Sequence, residues 1–592
     1  MEVGAAEATG SSSDVEFAPG VEAESDDELP ASPLESVPPP PATNNDATGA
    51  SRTDNTSRRE HAIDIGWSET MPSNDLPEFT GTPGLRVELS PEQVSSPLNL
   101  FLLYITDEML TVACAQTNLY FYQRAADVCL EGAAHAREWS NITPAELRVW
   151  LGILFTNSLH PYPSMPLYWS SKKLFGLDAV KSAMSLRRFE QIKRYLHLAN
   201  TAAEPKRGTP HFDPLYKVRP WLDGLLKHSQ ELFSPSKQVS MDEMDVSFSG
   251  RCAYKSRIKY KRAGDGFLIY ALCDADTGYT WSFRFTFDQP GAVEVGLSKT
   301  FNAVFQLMKQ LPGKGFHVFV DNLYSSALLA EKLLAFGHLY TCTARADRIP
   351  NCVKQKALTG QAARQAHGTV KWASRRNVVA LTYYDAKPVP MMTTAHHDLE
   401  VVTFTRPRCQ VNPETHLPHT VDVELTRLNV IHDYNCFMDG VDVADQLRGY
   451  YSCSLKCMKW WHAIFYWIVD TAATNAYLLH KEGMKAQAAS PMTHLEFMAD
   501  LAESLLSTPH GKERSSSSSG AKRRRSADAA MDKPESRLIG SHMIRAIQGS
   551  SAKNPQRDCV RCKANGKRSR TNYECGTCNV GLHSDCFEEW HK

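Results

Sequence analysis

From about Leu98 onward, hydrophobic and polar positions alternate with the period of an α-helix. The segments "AELRVWLGILFTNSL" (145–159) and "RRFEQIKRYLHLAN" (187–200) both place apolar residues three and four positions apart. Thr143 precedes the first segment and is suited to cap its helix. The pattern predicts a mainly α-helical domain over residues 96–237.

After about Pro235 the pattern changes to that of strands. "KQVSMDEMDVSFSGR" and "GFLIYALCDADTGYTWSFRFTF" are rich in β-forming residues, and Asp276–Gly278 predicts a turn between two strands. A helix over "FNAVFQLMKQL", a buried strand over "FHVFV", a helix over "SALLAEKLLAFG" and a strand over "HLYTCTA" follow. This order predicts a mixed α/β unit over residues 238–347.

The remaining chain changes character several times. Residues 348–425 contain β-forming pieces such as "NVVALTYY" and "VPMMTT", and a helical pattern resumes at Val441 and runs to about Leu505. A polar linker and a cysteine cluster end the chain. Residues 1–95 are rich in Ser, Pro and acidic side chains, so we expect them to be disordered.

Composition and charge narrow the functional classes. The 592 residues are too many for one core, and the hydrophobic content of 42% is typical of soluble globular proteins. The net charge of -1 conceals an N-terminal fifty residues without Lys or Arg, so the near-neutral total is compatible with nucleic-acid binding. We expect no secretory signal and no membrane partner, because the apolar run Ala463–Val469 is far shorter than the ~20 residues of a membrane span.

Acidic residues at three places in the sequence suggest a metal site. Asp242 lies on the first predicted strand of the α/β unit, Asp321 ends a buried strand, and Asp442 and Asp445 lie three apart at a helix start. Carboxylates brought together in this way can hold two Mg²⁺ ions that catalyse phosphoryl transfer. The alternative is that Asp321 simply caps the strand or the following helix, since Asp is common at such junctions.

The same blocks resemble those of a known family. "SMDEMDVSFSGR", "VDNLYSS" and "YNCFMDGVDVADQLRGYYS" are similar to the three catalytic blocks of piggyBac-type transposases and occur in the same order. Blocks such as "TNLYFYQ", "YKVRPWL" and "KWWHAIFYWIVDTAATNAYLL" agree as well. The resemblance extends from about Leu98 to the C-terminus.

The resemblance implies a multidomain fold with an α/β RNase H-like catalytic core and a triad of Asp242, Asp321 and Asp442, which would bind Mg²⁺. Asp445 corresponds to a fourth acidic position that supports the site.

The resemblance also implies cut-and-paste transposition of double-stranded DNA by a homodimer. The substrate would be the terminal inverted repeats, the intermediates a free 3′-hydroxyl and a hairpin, and the target TTAA. The implied layout, after a disordered acidic region over 1–95, is a helical DNA-binding and dimerisation domain (96–237 and 453–507), the core (238–347 and 426–452), a β-rich insertion domain (348–425), a basic linker (508–534) and a zinc-binding cysteine-rich domain (535–592).

Some positions depart from the family pattern. Asp439 stands where the family usually has Gly, Leu455 where it tends to have Arg, and Ala373 and Ser374 where an acidic residue is common. Leu455 removes a potential phosphate contact. None of the departures affects the triad.

The cysteine cluster has the spacing of zinc ligands. Two C-x-x-C pairs are followed by H-x-x-C, and short pairs of this kind supply two thiolates to one tetrahedral ion. The predicted ligands of two Zn²⁺ ions are Cys559, Cys562, Cys575, Cys578, His583, Cys586, His591 and, unless it is simply a surface histidine, His542. A cross-brace would combine the first C-x-x-C pair with His583 and Cys586 on one ion, and the second pair with His591 on the other.

Two further alternatives remain. The basic run Lys522–Arg525 is either a solvated charge cluster or a nuclear import signal, and a nuclear location suits a DNA-acting chain. The chain as a whole is either an active transposase or a domesticated relative that binds DNA without moving it. A RING-like ubiquitin ligase would usually need one more C-x-x-C pair.

Overall fold

The structure is a computed structural model that describes residues 64–73, 75–127, 139–257, 264–288, 297–411, 417–510, 544–547, 556–575, 578 and 580–591. Two compact units divide the chain, residues 1–511 and residues 512–592. The basic run Lys522–Arg525 and His542 lie outside the described residues.

The first unit combines helices with a large sheet. Its helices are α1 (Pro91–Val94), α2 (Pro97–Tyr104), α3 (Asp107–Asp127), α4 (Pro144–Leu159), α5 (Asp178–Ala183), α6 (Leu186–Tyr195), α7 (Arg219–Leu232), α8 (Lys299–Met308), α9 (Ala327–Phe336), α10 (Gly360–Ala366), α11 (Asn429–Phe437), α12 (Gly440–Tyr450), α13 (Trp460–Ala486) and α14 (His494–Leu506). Its strands are β1 (Gly84–Leu85), β2 (Phe233–Ser234), β3 (Gln238–Ser247), β4 (Ser256–Arg257), β5 (Asp265–Asp274), β6 (Thr280–Phe285), β7 (His317–Val320), β8 (Leu339–Thr343), β9 (Val370–Arg375), β10 (Val378–Tyr384), β11 (Pro388–Thr393), β12 (Val401–Val411) and β13 (Pro418–Leu428).

The predicted helices and strands of this unit are confirmed. The Thr143 side chain accepts a hydrogen bond from the Glu146 backbone N–H at the start of α4, as its position predicted. Gly337 ends α9 in the left-handed conformation, with a φ of 94°. The turn at Asp276–Gly278 connects β5 to β6.

Helix α13 lies at the centre of the helical part. Its residues are buried without interruption from Trp461 to His480, on every side of the helix. A helix that is buried all round belongs to the interior of a large protein. Trp467 packs edge to face against Phe283 and Phe285 of β6, so this helix joins the helical part to the sheet.

The sheet has nine strands in the order β4-β5-β3-β7-β8-β11-β10-β9, with β6 also paired to β5. Strands β3, β7 and β8 are parallel to one another, and β5 is antiparallel to β3. All four residues of β7 are buried, as expected for a strand covered on both faces.

The region assigned by sequence to an insertion domain contributes to this sheet. Strand β11 pairs antiparallel with β8, so β9 to β11 extend the sheet that begins at β4. Strands β12 and β13 instead form a separate two-stranded ribbon. The β-rich character predicted for residues 348–425 is therefore divided between a shared sheet and a ribbon.

The predicted disordered region, residues 1–95, needs a correction near its end. Phe79 packs edge to face on Phe316, β1 pairs with β2, and Ser68 forms a bridge with Ser374 of β9. These apolar and backbone contacts give residues 64–73 and 75–95 defined positions on the first unit. Residues 1–63 lie outside the described residues.

The second unit is small. It contains β14 (Ile544–Ala546), β15 (Arg557–Asp558), α15 (Val560–Ala564), β16 (Arg570–Thr571), β17 (Tyr573–Cys575) and α16 (Ser584–His591). Its buried core consists of Cys559, Cys575 and Leu582, with partly buried neighbours such as Trp590. Among the described residues of this unit, so few apolar side chains make a weak core.

Within the part of the chain that the structure describes, no single helix is long and apolar enough to cross a membrane. One bent helix pair, Pro97–Tyr104 with Asp107–Arg124, passes the same test by length and composition, with a bend of 64°.

Candidate active site and zinc centre

Two carboxylates meet where β3 and β7 run side by side. The parallel register pairs Met241 with Val320, and the next residue on each strand is Asp242 and Asp321. Adjacent strands are ~4.8 Å apart, so these two aspartates leave the paired region as neighbours. The parallel pairing of β3 with β7 therefore places Asp321 beside a second carboxylate.

A third carboxylate arrives on α12. Asp442 lies in the first turn of this helix, which packs on the face of β3 that carries Ser240 and Asp242. Gly440 makes the approach possible, because a Cβ there would clash with the Ser240 Oγ and would lie 3.0 Å from the Ala275 Cα. Asp242 interacts electrostatically with both Asp321 and Asp442.

Burial and crowding change the acidity of this cluster. Burial, followed by the neighbouring Glu243 and Asp442, raises the pKa of Asp242 to about 7. Burial also raises the pKa of Asp321, with a contribution from Asp242, although the Leu323 backbone N–H donates to Asp321 Oδ1 at 2.7 Å. Ionised carboxylates held this close need a compensating positive charge.

The donor set suits a hard divalent cation, because it consists of carboxylate oxygens and Asp242 interacts with both of the other aspartates. The oxygen atoms of the three carboxylates lie further apart than the ligand atoms of the cysteine cluster. Among the described residues, only the Cys/His group of the second unit has ligand atoms that all lie within 4.8 Å of one another.

Two arginines that the sequence analysis did not identify hold the loop after Asp321. The Arg348 guanidinium donates to the Leu323 and Ser325 carbonyl oxygens at 2.8 and 2.9 Å, and Arg345 Nε donates to Asn322 Oδ1 at 3.1 Å. Both arginines follow β8, the strand next to β7. In the sequence, the sign of this role was a pair of arginines three residues apart, directly after a predicted strand. Only the order of the strands in the sheet shows which loop the two arginines contact.

Asp445 lies on the same helix as Asp442 but makes different contacts. Its carboxylate accepts a hydrogen bond from Arg448 at 2.8 Å, and it lies close enough to Cys273 to help raise the pKa of that buried thiol. The structure thus places Asp445 in an ion pair beside β5, and its supporting role in catalysis stays a prediction.

The structure locates the residues that differ from the family pattern. Leu455 is 9% exposed and belongs to the main hydrophobic core, so its side chain is not available to a phosphate. Asp439 is exposed at the N-cap of α12 and its side chain makes no capping hydrogen bond. Ala373 and Ser374 are buried on β9.

The second unit contains one compact ligand group. Cys559, Cys562, His583 and Cys586 place one ligand atom each within 4.8 Å of one another. The Cys562 Sγ lies 3.5 Å from His583 Nδ1 and 3.8 Å from the Cys586 Sγ. Three thiols and one imidazole in this arrangement are a typical structural Zn²⁺ site.

Contacts around this group favour ligation. The His583 Nε2 faces the Arg570 carbonyl oxygen at 3.1 Å, and this contact leaves Nδ1 to face the thiols. Burial opposes ionisation of Cys559, but the backbone N–H groups of Cys562 and His583 outweigh it and lower the pKa of Cys559 to about 7. This first set of ligands matches one half of the predicted cross-brace.

The other half is only partly described. The Cys578 backbone N–H donates to the Cys575 Sγ at 3.4 Å, so the two cysteines of the second C-x-x-C pair lie close together. Helix α16 includes His591, but the placement of the His591 side chain and of His542 lies outside the described part of the chain. A second Zn²⁺ ion stays a prediction.

Comparisons with known proteins give consistent results. A family model described as "Transposase IS4" matches residues 96–477. The human "PiggyBac transposable element-derived protein 3" is 25% identical over 504 residues, which cover 84% of this chain and 76% of the relative. The human "PiggyBac transposable element-derived protein 5" is 24% identical over 436 residues, which cover 71% of this chain and 77% of the relative.

A solved structure shares the fold. The "Cryo-EM structure of piggyBac transposase synaptic complex with hairpin DNA" aligns with a TM-score of 0.59 and 22% identity. The alignment covers 72% of this chain and 83% of the solved chain.

Proposed function

Because this chain belongs to the piggyBac-type transposase family, we propose that it is a metal-dependent DNA transposase. The reaction is cut-and-paste transposition: hydrolysis at the element's ends to a free 3′-hydroxyl, a hairpin on the transposon end, and joining at TTAA. The catalytic residues are Asp242, Asp321 and Asp442.

The observation that carries this proposal is the register of β3 and β7. The pairing of Met241 with Val320 puts Asp242 and Asp321 next to each other, and α12 adds Asp442. These three aspartates belong to separate sequence blocks that each resemble a catalytic block of the family. Simple capping of strand β7 by Asp321 does not account for the electrostatic interaction of Asp242 with both Asp321 and Asp442.

The arrangement of strands supports an RNase H-like core. In the order β6-β5-β3-β7-β8, strand β5 is antiparallel to both β6 and β3, whereas β7 and β8 are parallel to β3. We assign residues 238–347 and 426–452 to this core. The other predicted domain boundaries are part of the same proposal.

The three aspartates would hold two Mg²⁺ ions. When bound, the ions would activate the attacking oxygen as Lewis acids and stabilise the negative charge that develops on the phosphate and leaving oxygens. The protein's contribution is rigidity. Strand β7 is buried along its length, and Arg348 holds the carbonyl oxygens of the loop after Asp321, so the carboxylates are fixed before substrate arrives.

We propose double-stranded DNA as the substrate and a homodimer as the working unit. The helical regions 96–237 and 453–507 would bind the transposon end and form the dimer. The zinc unit, residues 535–592, would bind two Zn²⁺ ions and contribute end recognition through its basic loop, which includes Lys563, Lys567 and Arg568. A nuclear location through Lys522–Arg525 completes the proposal.

A cleavage assay tests this function. The DNA that borders the gene should contain inverted repeats flanked by TTAA, and a labelled duplex of one repeat is incubated with the full chain in Mg²⁺ or in EDTA. We expect nicking at the repeat end followed by hairpin formation, in Mg²⁺ only. Binding of the repeat without cleavage at any Mg²⁺ concentration would refute the catalytic part of the proposal.

That second outcome corresponds to a specific alternative, a domesticated DNA-binding protein. Leu455 is buried where the family tends to have Arg, and Asp439 adds an acidic side chain next to the start of α12. Both changes lower the positive charge available to DNA. Restoring cleavage by Asp439→Gly would separate a weakened enzyme from a protein that has lost the reaction for other reasons.

A further inference from the structure

The two-stranded ribbon formed by β12 and β13 separates its charges by face. Side chains alternate between the two faces of a strand, and directly paired residues share a face. One face, here called the arginine face, carries Arg406, Arg408 and Arg427 and no acidic residue. The other, here called the acidic face, carries Asp422 and Glu424 and no Lys or Arg.

The contacts of the arginines differ along the ribbon. Arg427 lies near the base, with its guanidinium carbon 3.8 Å from the centre of the Phe404 ring. Arg406 and Arg408 lie further out, are exposed, and form no hydrogen bond or ion pair with any residue that the structure describes. Their paired neighbours Val423 and Val421 are half-buried, as expected if the arginine stems cover them.

The ribbon is connected to the candidate active site. Helix α11 begins at Asn429, directly after β13, and the Phe404 ring contacts His432 on that helix. Tyr434 of the same helix faces Thr343 at 3.3 Å and lies close to Asp321 and Asp242. Helix α11 therefore links the base of the ribbon to the neighbourhood of the carboxylates.

We propose that the arginine face of the ribbon contacts the phosphate backbone of duplex DNA. This inference rests on the proposed function. A two-stranded ribbon fits the ~12 Å width of a major groove. Its eleven paired positions span ~36 Å at ~3.3 Å per residue, close to one ~34 Å turn of B-DNA.

The charges on the two faces of the ribbon determine which face contacts the duplex. Arg406 and Arg408 are ~6.6 Å apart along the strand, about the axial rise of two nucleotides. Asp422 and Glu424 repel phosphate, so only one face of the ribbon can meet the duplex. The contact is electrostatic and independent of sequence, and the ribbon holds DNA in register while other residues select the site.

The test compares both faces in the full chain. The affinity for a random-sequence 40-bp duplex is measured from about 0.05 to 0.3 M salt for wild type, Arg406→Ala/Arg408→Ala, Arg406→Lys/Arg408→Lys and Asp422→Ala/Glu424→Ala. Loss of two phosphate contacts should reduce the slope of log affinity against log salt by about 2 and weaken binding near 0.1 M salt by ~10-fold or more. The Lys pair should keep the wild-type slope, and the acidic-face pair should keep or strengthen binding.

The outcomes separate the two proposals. An unchanged slope for the alanine pair, in a wild type that binds and cleaves DNA, overturns the ribbon contact and leaves the proposed function intact. Wild type that fails to bind duplex at any salt overturns the proposed function itself. If the alanine pair keeps its DNA slope but loses self-association in light scattering, the arginine face is a protein interface and the inference is wrong.

A crosslinking experiment locates the contact independently. A photoreactive side chain at Gln410, on the arginine face, should crosslink to the duplex, whereas one at Thr405, on the acidic face, should not. Equal crosslinking from both positions would contradict a one-sided contact.

Discussion

Asp242 on β3 and Asp321 after β7 each follow the last paired residue of two adjacent parallel strands. A carboxylate beside a carboxylate is unfavourable on its own, and burial makes it more so. The pair persists because both positions are set by a buried backbone register rather than by the side chains. This arrangement is the basis of the first two predictions.

Replacing Asp242, Asp321 or Asp442 with Asn should abolish cleavage of an element end and leave DNA binding within a few-fold of wild type. Each change removes the charge of a metal ligand with little change in volume. Nicking in Mg²⁺ and a gel-shift assay measure the two properties. Asp245→Asn, on the opposite face of the same strand, serves as the control, and full cleavage by any one of the three variants would remove that residue from the triad.

Asp445→Asn should slow cleavage by ~10–100-fold and raise the Mg²⁺ concentration needed, because residues around a metal site tune it without holding the ion. Its ion pair with Arg448 is lost in the variant. The cleavage rate is titrated with Mg²⁺ for wild type, for Asp445→Asn and for Asp442→Asn. If Asp445→Asn is inactive and Asp442→Asn is only slowed, the third ligand has been assigned to the wrong carboxylate.

Gly440→Ala should reduce cleavage strongly while DNA binding is retained. The added Cβ would meet Ser240 and the backbone at Ala275, so α12 must move away from β3 and carry Asp442 with it. Gly449→Ala is a matched control on the same helix, because a Cβ there meets nothing within 4 Å. The control should be neutral or more stable by up to ~1 kcal/mol. Equal activity of the two variants would show that the close approach at Gly440 is unimportant.

The full chain should contain two Zn²⁺ ions. Cys562→Ala should remove the ion of the described group, and Cys578→Ala should remove the other ion and leave the first. Metal analysis of wild type and the two variants after extensive dialysis measures the number of Zn²⁺ ions per chain. One ion per chain in wild type would contradict the cross-brace, and loss of both ions in each single variant would indicate that the two sites fold together.

His338 should make the first unit sensitive to acid. The side chain is fully buried between Phe316 and Phe336, and burial, assisted by Lys314, lowers the pKa of His338 to about 4. Between pH ~6.5, the unfolded value, and about 4, the unfolded chain binds a proton that the folded chain does not. Stability from this residue is therefore present above pH ~6.5 and decreases as the pH falls to about 4, by ~2–3 kcal/mol in all.

His338→Phe should remove this loss, and it should also stabilise the unit at neutral pH because neither ring nitrogen of His338 has a hydrogen-bond partner among the described residues. Thermal unfolding between pH 4 and 7 measures the effect, with the exposed His211→Gln as control. A variant with the same acid dependence as wild type would show that the sensitivity comes from other groups.

The amino-acid sequence by itself determined much of the local structure and chemistry. Helical periodicity and the cap at Thr143 predicted α4, and the apolar run before Asp321 predicted β7. The cysteine spacing predicted the ligands that gather at Cys559, because two short C-x-x-C and H-x-x-C segments can each be read locally. These features depend on neighbours within a few residues, and such interactions leave a pattern in the sequence.

The tertiary structure decided which distant residues meet. Periodicity gives a strand's faces but not its partner or its register, so only the sheet shows that Met241 lies opposite Val320. The same limit explains why the loop contacts of Arg348 were missed, and why β11 was not predicted to pair with β8. The close approach at Gly440 depends on the backbone of another strand, which no local pattern records.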